Sequence, residues 1–273
     1  MSTLPTLFLS HGSPMHAVLD SRAARLWQEL GQTLPRPRAV LIASAHWETA
    51  EATLTASAAP VTVHDFGGFP PALYAIRYPA PGAPALAQQA ATLLQKAGLA
   101  AALNPQRGLD HGAWAPLRHL FPAADIPVVQ VSLQSQQPVS HTLAVGAALG
   151  PLARQGVLII GSGHLTHNLN DWIKHVSHHG LAVDDSVPTQ TYVKEFRAWV
   201  QQALSSPDPQ AIAGWQAAPH ARRAHPSPEH FLPLLLAWAA AGPAPGIEHF
   251  DLGVDAGVLA MDAWRFTPSA TRA

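Results

Sequence analysis

Four short apolar runs, Thr6–Ser10, Ala39–Ala45, Val128–Leu133 and Val157–Gly161, are bounded by turn residues and separated by longer amphipathic segments. Each is compact and predominantly apolar, which reads as burial on both sides, as in strands of a mainly parallel sheet. The intervening segments Ser21–Leu34, Pro84–Ala97, Ala113–Phe121, Ser140–Arg154 and Val187–Leu204 read as helices. Strands alternating with helices predict an α/β fold, a central mostly parallel sheet flanked by helices. A last helix is expected from Ser227, where Ser227, Pro228 and Glu229 offer an N-cap, a first-turn proline and a first-turn acid. Ile247–Leu252 and Val258–Phe266 read as a closing pair of strands. The proline-rich connections Pro79–Gly82 and Pro243–Gly246 are too short to be interdomain linkers, so residues 1–273 are expected to form a single domain. Val63–Tyr78, rich in aromatics, glycine and proline, reads as a long irregular loop of the kind that carries function.

Composition narrows the chemistry. The 273 residues contain no cysteine, which excludes disulfides, thiolate zinc sites, iron–sulfur clusters and cysteine nucleophiles. Any metal must be held by nitrogen and oxygen. A net charge of −1 gives no electrostatic footprint for nucleic acid or anionic membrane. No stretch reaches the length of a membrane span, and the N-terminal run lacks the basic region of a signal peptide, so a cytoplasmic protein is expected. The near-neutral surface is compatible with a monomer or a homodimer.

Histidine is the anomaly: there are 16, as many as all lysines and arginines together. Three of them, His11, His46 and His164, directly follow or close on a buried-strand run. In open α/β sheets, ligands bind in the crevice outside the carboxyl ends of the strands. One such histidine alone would be read as a carbonyl cap or a solvent-boundary residue. Several in the same placement point to a metal or catalytic site there, since neutral imidazole is the commonest metal ligand. Further candidates are His64, His111, His167 and His230. His164 and His167 would share a face if their turn is helical. His230 would sit in the first turn of the last helix, with Glu229 beside it as a competing ligand. His175, His178 and His179, set among polar residues, read as a solvated face. His16, His119, His141, His220, His225 and His249 read as structural or surface residues. The sequence has no H-E-x-x-H pair, P-loop, dinucleotide fingerprint or G-x-S-x-G elbow.

Six segments together carry a family resemblance: LFLSHGSPM (His11), SAHW (His46), HDFGGFPPALY (His64), DHGAW (His111), GSGHLTHNL (His167) and PSPEHFLPLL (His230). In this order, from Leu7 to Leu236, they make the chain similar to the 4,5-DOPA extradiol dioxygenases. These are class III extradiol ring-cleaving enzymes related to the catalytic subunit of protocatechuate 4,5-dioxygenase. The resemblance implies one divalent metal held by His11, His46 and His230, with His167 as fourth ligand or acid/base. It implies that His111 assists proton transfer, and that the loop of His64, Phe66 and Phe69 shapes the substrate pocket. Distant relatives complete the site with a glutamate, which keeps Glu229 as the alternative to His230. His164 is left open between ligand and outer neighbour.

The reaction implied by the resemblance is insertion of O₂ into a catechol-type, DOPA-like ring to give a muconic semialdehyde. Iron(II) is expected for turnover and zinc as a plausible bound species, given its higher affinity. Two other readings compete: a zinc-dependent hydrolase on the same scaffold, and a non-catalytic metal-binding relative.

Overall fold

The computed structural model describes residues 3–179, 187–206, 208 and 210–269. Ten strands form in chain order: β1 (Thr6–Ser10), β2 (Ala39–Glu48), β3 (Ala52–Thr55), β4 (Ala101–Asn104), β5 (Val128–Leu133), β6 (Val157–Gly163), β7 (Gly246–Phe250), β8 (Val254–Asp255), β9 (Leu259–Ala260) and β10 (Ala263–Thr267). The helices are α1 (Arg22–Thr33), α2 (Pro71–Tyr74), α3 (Pro84–Lys96), α4 (His111–Leu120), α5 (Val139–Leu149), α6 (Leu169–His179), α7 (Thr191–Ser205), α8 (Gln210–Ala213), α9 (Ala221–Ala224) and α10 (Leu232–Ala240).

Eight strands make one sheet in the order β4-β3-β5-β2-β6-β1-β10-β7. Its centre, β5-β2-β6-β1, is parallel throughout, so the carboxyl ends of these strands reach one edge. The sheet is mixed only outside that centre, where β3 and β10 run antiparallel to their inner neighbours. The all-apolar runs are buried on both faces. Phe8, Leu41, Val129 and Ile159 pack into the core beneath α3, α5, α7 and α10, while Leu7, Leu9, Ile42 and Ile160 pack towards α1 and α4. α1 docks through its apolar stripe, burying Leu26, Trp27 and Leu30, and Ser21 caps it by accepting from the Ala24 N–H at 3.1 Å. Among the described residues no helix is long and apolar enough to cross a membrane.

The expected α/β sheet is present, with local corrections. β3 and β4 lie outside the expectation; they are four-residue strands built mainly of alanine, threonine and leucine, with little periodicity to read. The last helix begins at Leu232, not Ser227, and its first-turn proline is Pro233. Residues 227–231 form a turn instead, in which the Ser227 hydroxyl donates to the Glu229 side chain rather than capping a helix. The segment 258–266 divides into β9, which pairs with β8 in a separate ribbon, and β10. His46 lies inside β2, which continues to Glu48. The turn holding His164 and His167 is not helical. The helix expected from Val187 starts at Thr191, and the one expected to Arg154 is α5 followed by a 3₁₀ turn, Gly150–Gln155. His179 and the segment around Asp184, expected on a solvated face, have side chains outside the described residues.

Candidate metal centre

β1 delivers His11 and β6 delivers His164 from adjacent parallel strands, and β2 carries His46 on the far side of β6. His111 opens α4, where the Asp110 carboxylate caps the helix by accepting from the Ala113 N–H at 3.2 Å. His230 comes from the turn before α10, and its carbonyl accepts from the His164 N–H at 2.8 Å. His167 is tied by its N–H to the Ala224 carbonyl at 2.8 Å. These six histidines line one cavity of about 540 Å³, together with Asp65, Phe66, Phe69, Glu48, Glu229 and apolar residues of α6.

Two close approaches need glycine. A Cβ on Gly163 would lie 2.2 Å from the His230 carbonyl oxygen, so the end of β6 and the His230 turn meet only because no side chain intervenes. A Cβ on Gly112 would lie 2.3 Å from Ser44 Oγ and 3.1 Å from the His46 ring, so α4 seats against the site at its second residue.

The hydrogen bonds fix which nitrogens are available. The Ser162 hydroxyl gives its single proton to the Gly112 carbonyl, so it accepts from His11 Nδ1–H at 3.0 Å, which leaves Nε2 of His11 as a lone pair. His46 places Nδ1 3.4 Å from the Asp65 carboxylate, and His230 donates Nδ1–H to Glu229 at 2.9 Å. In His11 and His230 a hydrogen bond occupies Nδ1 and leaves Nε2 for a cation, and the Asp65 carboxylate near Nδ1 of His46 favours the same polarity there. The Nε2 atoms of His11 and His46 face each other at 3.0 Å, an approach that two lone pairs disfavour and a cation between them relieves. Nε2 of His230 is buried with no partner among the described residues. The donor set therefore fits a divalent metal bound by neutral nitrogen.

The electrostatics agree. Burial first, then the neighbouring imidazoles, hold His11, His46, His164 and His230 well below the usual histidine range, so all are neutral near pH 7. His167 is pushed down to about 3, mainly by burial, and its ring stacks on His230 at 3.4 Å between centroids and 8° between planes. Burial alone would raise Asp65, but the hydrogen bonds it accepts from His111 prevail and hold it far below the carboxylate range.

Among the described residues two ligand-sized groups are present, His11–His46–His111 and His167–Glu229–His230, each with its ligand atoms within 4.8 Å of one another. The set implied by the sequence, His11, His46 and His230 with His167, draws on both. Glu229, the alternative to His230, is its hydrogen-bond partner. His164 lies beside His11 with ring centroids 5.0 Å apart. His64 stands outside the cavity lining: its Nε2 donates to the Ile76 carbonyl at 3.2 Å and its ring packs against Phe66, Tyr74 and Trp114. Phe66 and Phe69 do line the cavity, edge to face with each other.

Sequence reasoning misses Asp65, which accepts the backbone N–H of His111 at 2.9 Å and its ring Nδ1–H at 3.0 Å. Its adjacency to His64 draws attention to the wrong neighbour; the informative signal is a lone acid in an aromatic loop. Ser162, Trp172, Ile173 and Leu259 are likewise missed as lining or supporting residues. Of the histidines expected to be structural, His16 and His225 are buried, His16 between Ser21 and Asp255 at 2.7 Å each.

Known proteins show the same arrangement of chain. The family described as the catalytic LigB subunit of aromatic ring-opening dioxygenase matches residues 2–252. A 4,5-DOPA dioxygenase extradiol of Escherichia coli (strain K12) is 39% identical over 262 residues, covering 94% of this chain and 93% of that protein. One of Beta vulgaris is 38% identical, with 96% of each chain covered. The crystal structure of an uncharacterized protein from Escherichia coli K12 superposes with a TM-score of 0.80 at 34% identity, covering 96% of this chain and 99% of that one. With its parallel-sheet crevice and its inward nitrogens, the chain belongs to the LigB family of aromatic ring-opening dioxygenases and is an extradiol ring-cleaving enzyme of that family.

Proposed function

We propose that the chain opens a catechol ring of DOPA-like substitution with O₂, using iron(II) held by His11, His46 and His230. The observation that carries this reading is the convergence of the three imidazoles on one cavity, with Nδ1 of His11 and His230 hydrogen-bonded and Nδ1 of His46 beside the Asp65 carboxylate. Iron(II), when bound, supplies the redox centre at which catecholate and O₂ meet; zinc would occupy the same nitrogens and is expected in protein purified aerobically.

The remaining work falls to the chain. His111, with Nδ1–H committed to Asp65, presents Nε2 as a base for a catechol hydroxyl proton. His167, neutral and stacked on His230, is placed to hold or return a proton, or to serve as a fourth ligand. Phe66 and Phe69 form an apolar wall for a planar ring and keep water from it, and His64 buttresses Phe66 from behind with ring centroids 5.8 Å apart.

The test is anaerobic reconstitution with iron(II), then L-DOPA, catechol or protocatechuate in air. A yellow semialdehyde with matching O₂ uptake is expected. No product from any catechol, with zinc-dependent ester or amide cleavage instead, would establish the hydrolase reading. At the residue level, His46→Ala is expected to lose the metal, whereas His111→Ala keeps it and loses about 10²–10⁴-fold in turnover. Release of metal by His111→Ala would exchange its role with a ligand's.

A further inference from the structure

The cavity's charges are one-sided. Its lining includes three carboxylates, Glu48, Asp65 and Glu229, and no lysine or arginine among the described residues. Two of the three are spoken for: Asp65 by His111 and His46, Glu229 by His230 and Ser227. Glu48 is different. It ends β2, is exposed, and its one hydrogen bond among the described residues comes from the Ser135 hydroxyl to Oε2.

Its position suits a substrate tail. Glu48 follows His46 by two residues on the same strand, which places it about 7 Å further along the cavity wall. Both residues line the cavity while Trp47 between them is turned away and buried. That separation is close to the span from a ring diol, held at the imidazoles, to the nitrogen of a two-carbon amine on the opposite side of the ring.

The basic residues nearby are engaged elsewhere. Arg107 donates to the His46 carbonyl and to Asp110, each at 3.4 Å, and lies over the Trp47 ring. Lys174 and Arg223 both pair with Asp171, at 3.5 and 3.3 Å. A carboxylate on the substrate tail would thus find no cation in the wall and would face Glu48.

We infer that this cavity selects catechols whose side chain carries an ammonium group and no carboxylate, and that Glu48 is the residue that reads that charge. The inference rests on the ring-cleaving reading for its turnover arm. It goes beyond it, since the relatives are named for an amino acid bearing both charges. An exposed ion pair acts on specificity at about the two- to fivefold level, and attraction of the ammonium adds to repulsion of a carboxylate across the series. The order of kcat/KM is therefore dopamine above 4-ethylcatechol above 3,4-dihydroxyphenylpropionate, by about tenfold in total or more, with L-DOPA between the extremes.

The experiment measures kcat/KM for these compounds by O₂ uptake on the iron(II)-loaded protein, and their binding to the zinc-loaded protein by calorimetry. E48Q is expected to bring the ratio of dopamine to 4-ethylcatechol within about twofold, and salt to compress the wild-type order. E48D, which keeps the charge, should retain the order and covers the case in which E48Q does not fold. Equal affinities across the series in the wild type, or an order that survives E48Q, would overturn the inference. Failure of every compound to turn over would instead defeat the ring-cleaving reading, and calorimetry would still decide the charge preference.

Discussion

Asp65 accepts both the backbone and the ring N–H of His111 and lies against Nδ1 of His46, so an asparagine there would present a donor where an acceptor is required. D65N is expected to weaken metal binding by about 10–100-fold, as loss of a ligand's supporting partner does, measured by competition with a chelator. Metal-saturated D65N is expected to keep its substrate KM within a few-fold and lose about 100-fold in kcat, because His111 no longer holds the tautomer that accepts a proton. Glu229 has the parallel task for His230, and E229A is expected to lower metal affinity by a similar factor without removing the site. His11 and His164 are legible in the sequence because imidazole at the end of an apolar strand is out of place, whereas the roles of His111, His167 and His230 are legible through the motifs shared with the family. The carboxylates behind them are not. Asp65 and His111 are 46 residues apart, and nothing in either local sequence announces that they touch.

At the scale of elements, the close seat of the His230 turn on β6 makes Gly163 a sensitive position. G163A must displace the turn or the strand, and is expected to cost about 1–3 kcal/mol of stability by chemical denaturation and to weaken metal binding together with it. The turn near α9 carries a pH dependence. His225, pushed down from 6.5 to about 4 by burial, donates Nε2–H to the Leu165 carbonyl and packs against Phe196, Trp215 and Phe231. Between these values the unfolded chain binds a proton that the folded chain refuses. This contribution to stability is therefore complete above pH 6.5 and falls by about 1.4 kcal/mol per pH unit as pH drops towards 4. Comparing urea midpoints of wild type and H225Q across that window isolates the slope. Strands β1, β2, β5 and β6 can be read from their unbroken apolar runs. β3 and β4 cannot, because such short runs of alanine, threonine and leucine become strands only by pairing with an existing edge. The start of α10 is misleading in sequence because Ser227 and Pro228 carry a capping signature that the fold spends on orienting Glu229 and His230 instead.

For the whole molecule, the proposed metal, drawing ligands from the ends of β1 and β2 and the turn before α10, would act on folding as a ligand of the native state. At a free concentration one hundred times its dissociation constant it adds about 2.7 kcal/mol, roughly 5–10 °C in Tm for a chain of this size. Calorimetric scans with zinc and then with EDTA should show that rise and its reversal, with no rise for His46→Ala. The fold class is legible because it depends only on the alternation of apolar strands and amphipathic helices. The sheet order is not, since it places β1 between β6 and β10. That order has a consequence for synthesis on the ribosome. Thr6–Ser10 emerges before either of its partners, residues 157–163 and 263–267, and the last imidazole of the cavity is residue 230. The nascent chain must therefore carry an unpaired apolar strand until β6 has been made. The cluster of imidazoles lining the cavity is completed later still, when His230 joins the histidines already made.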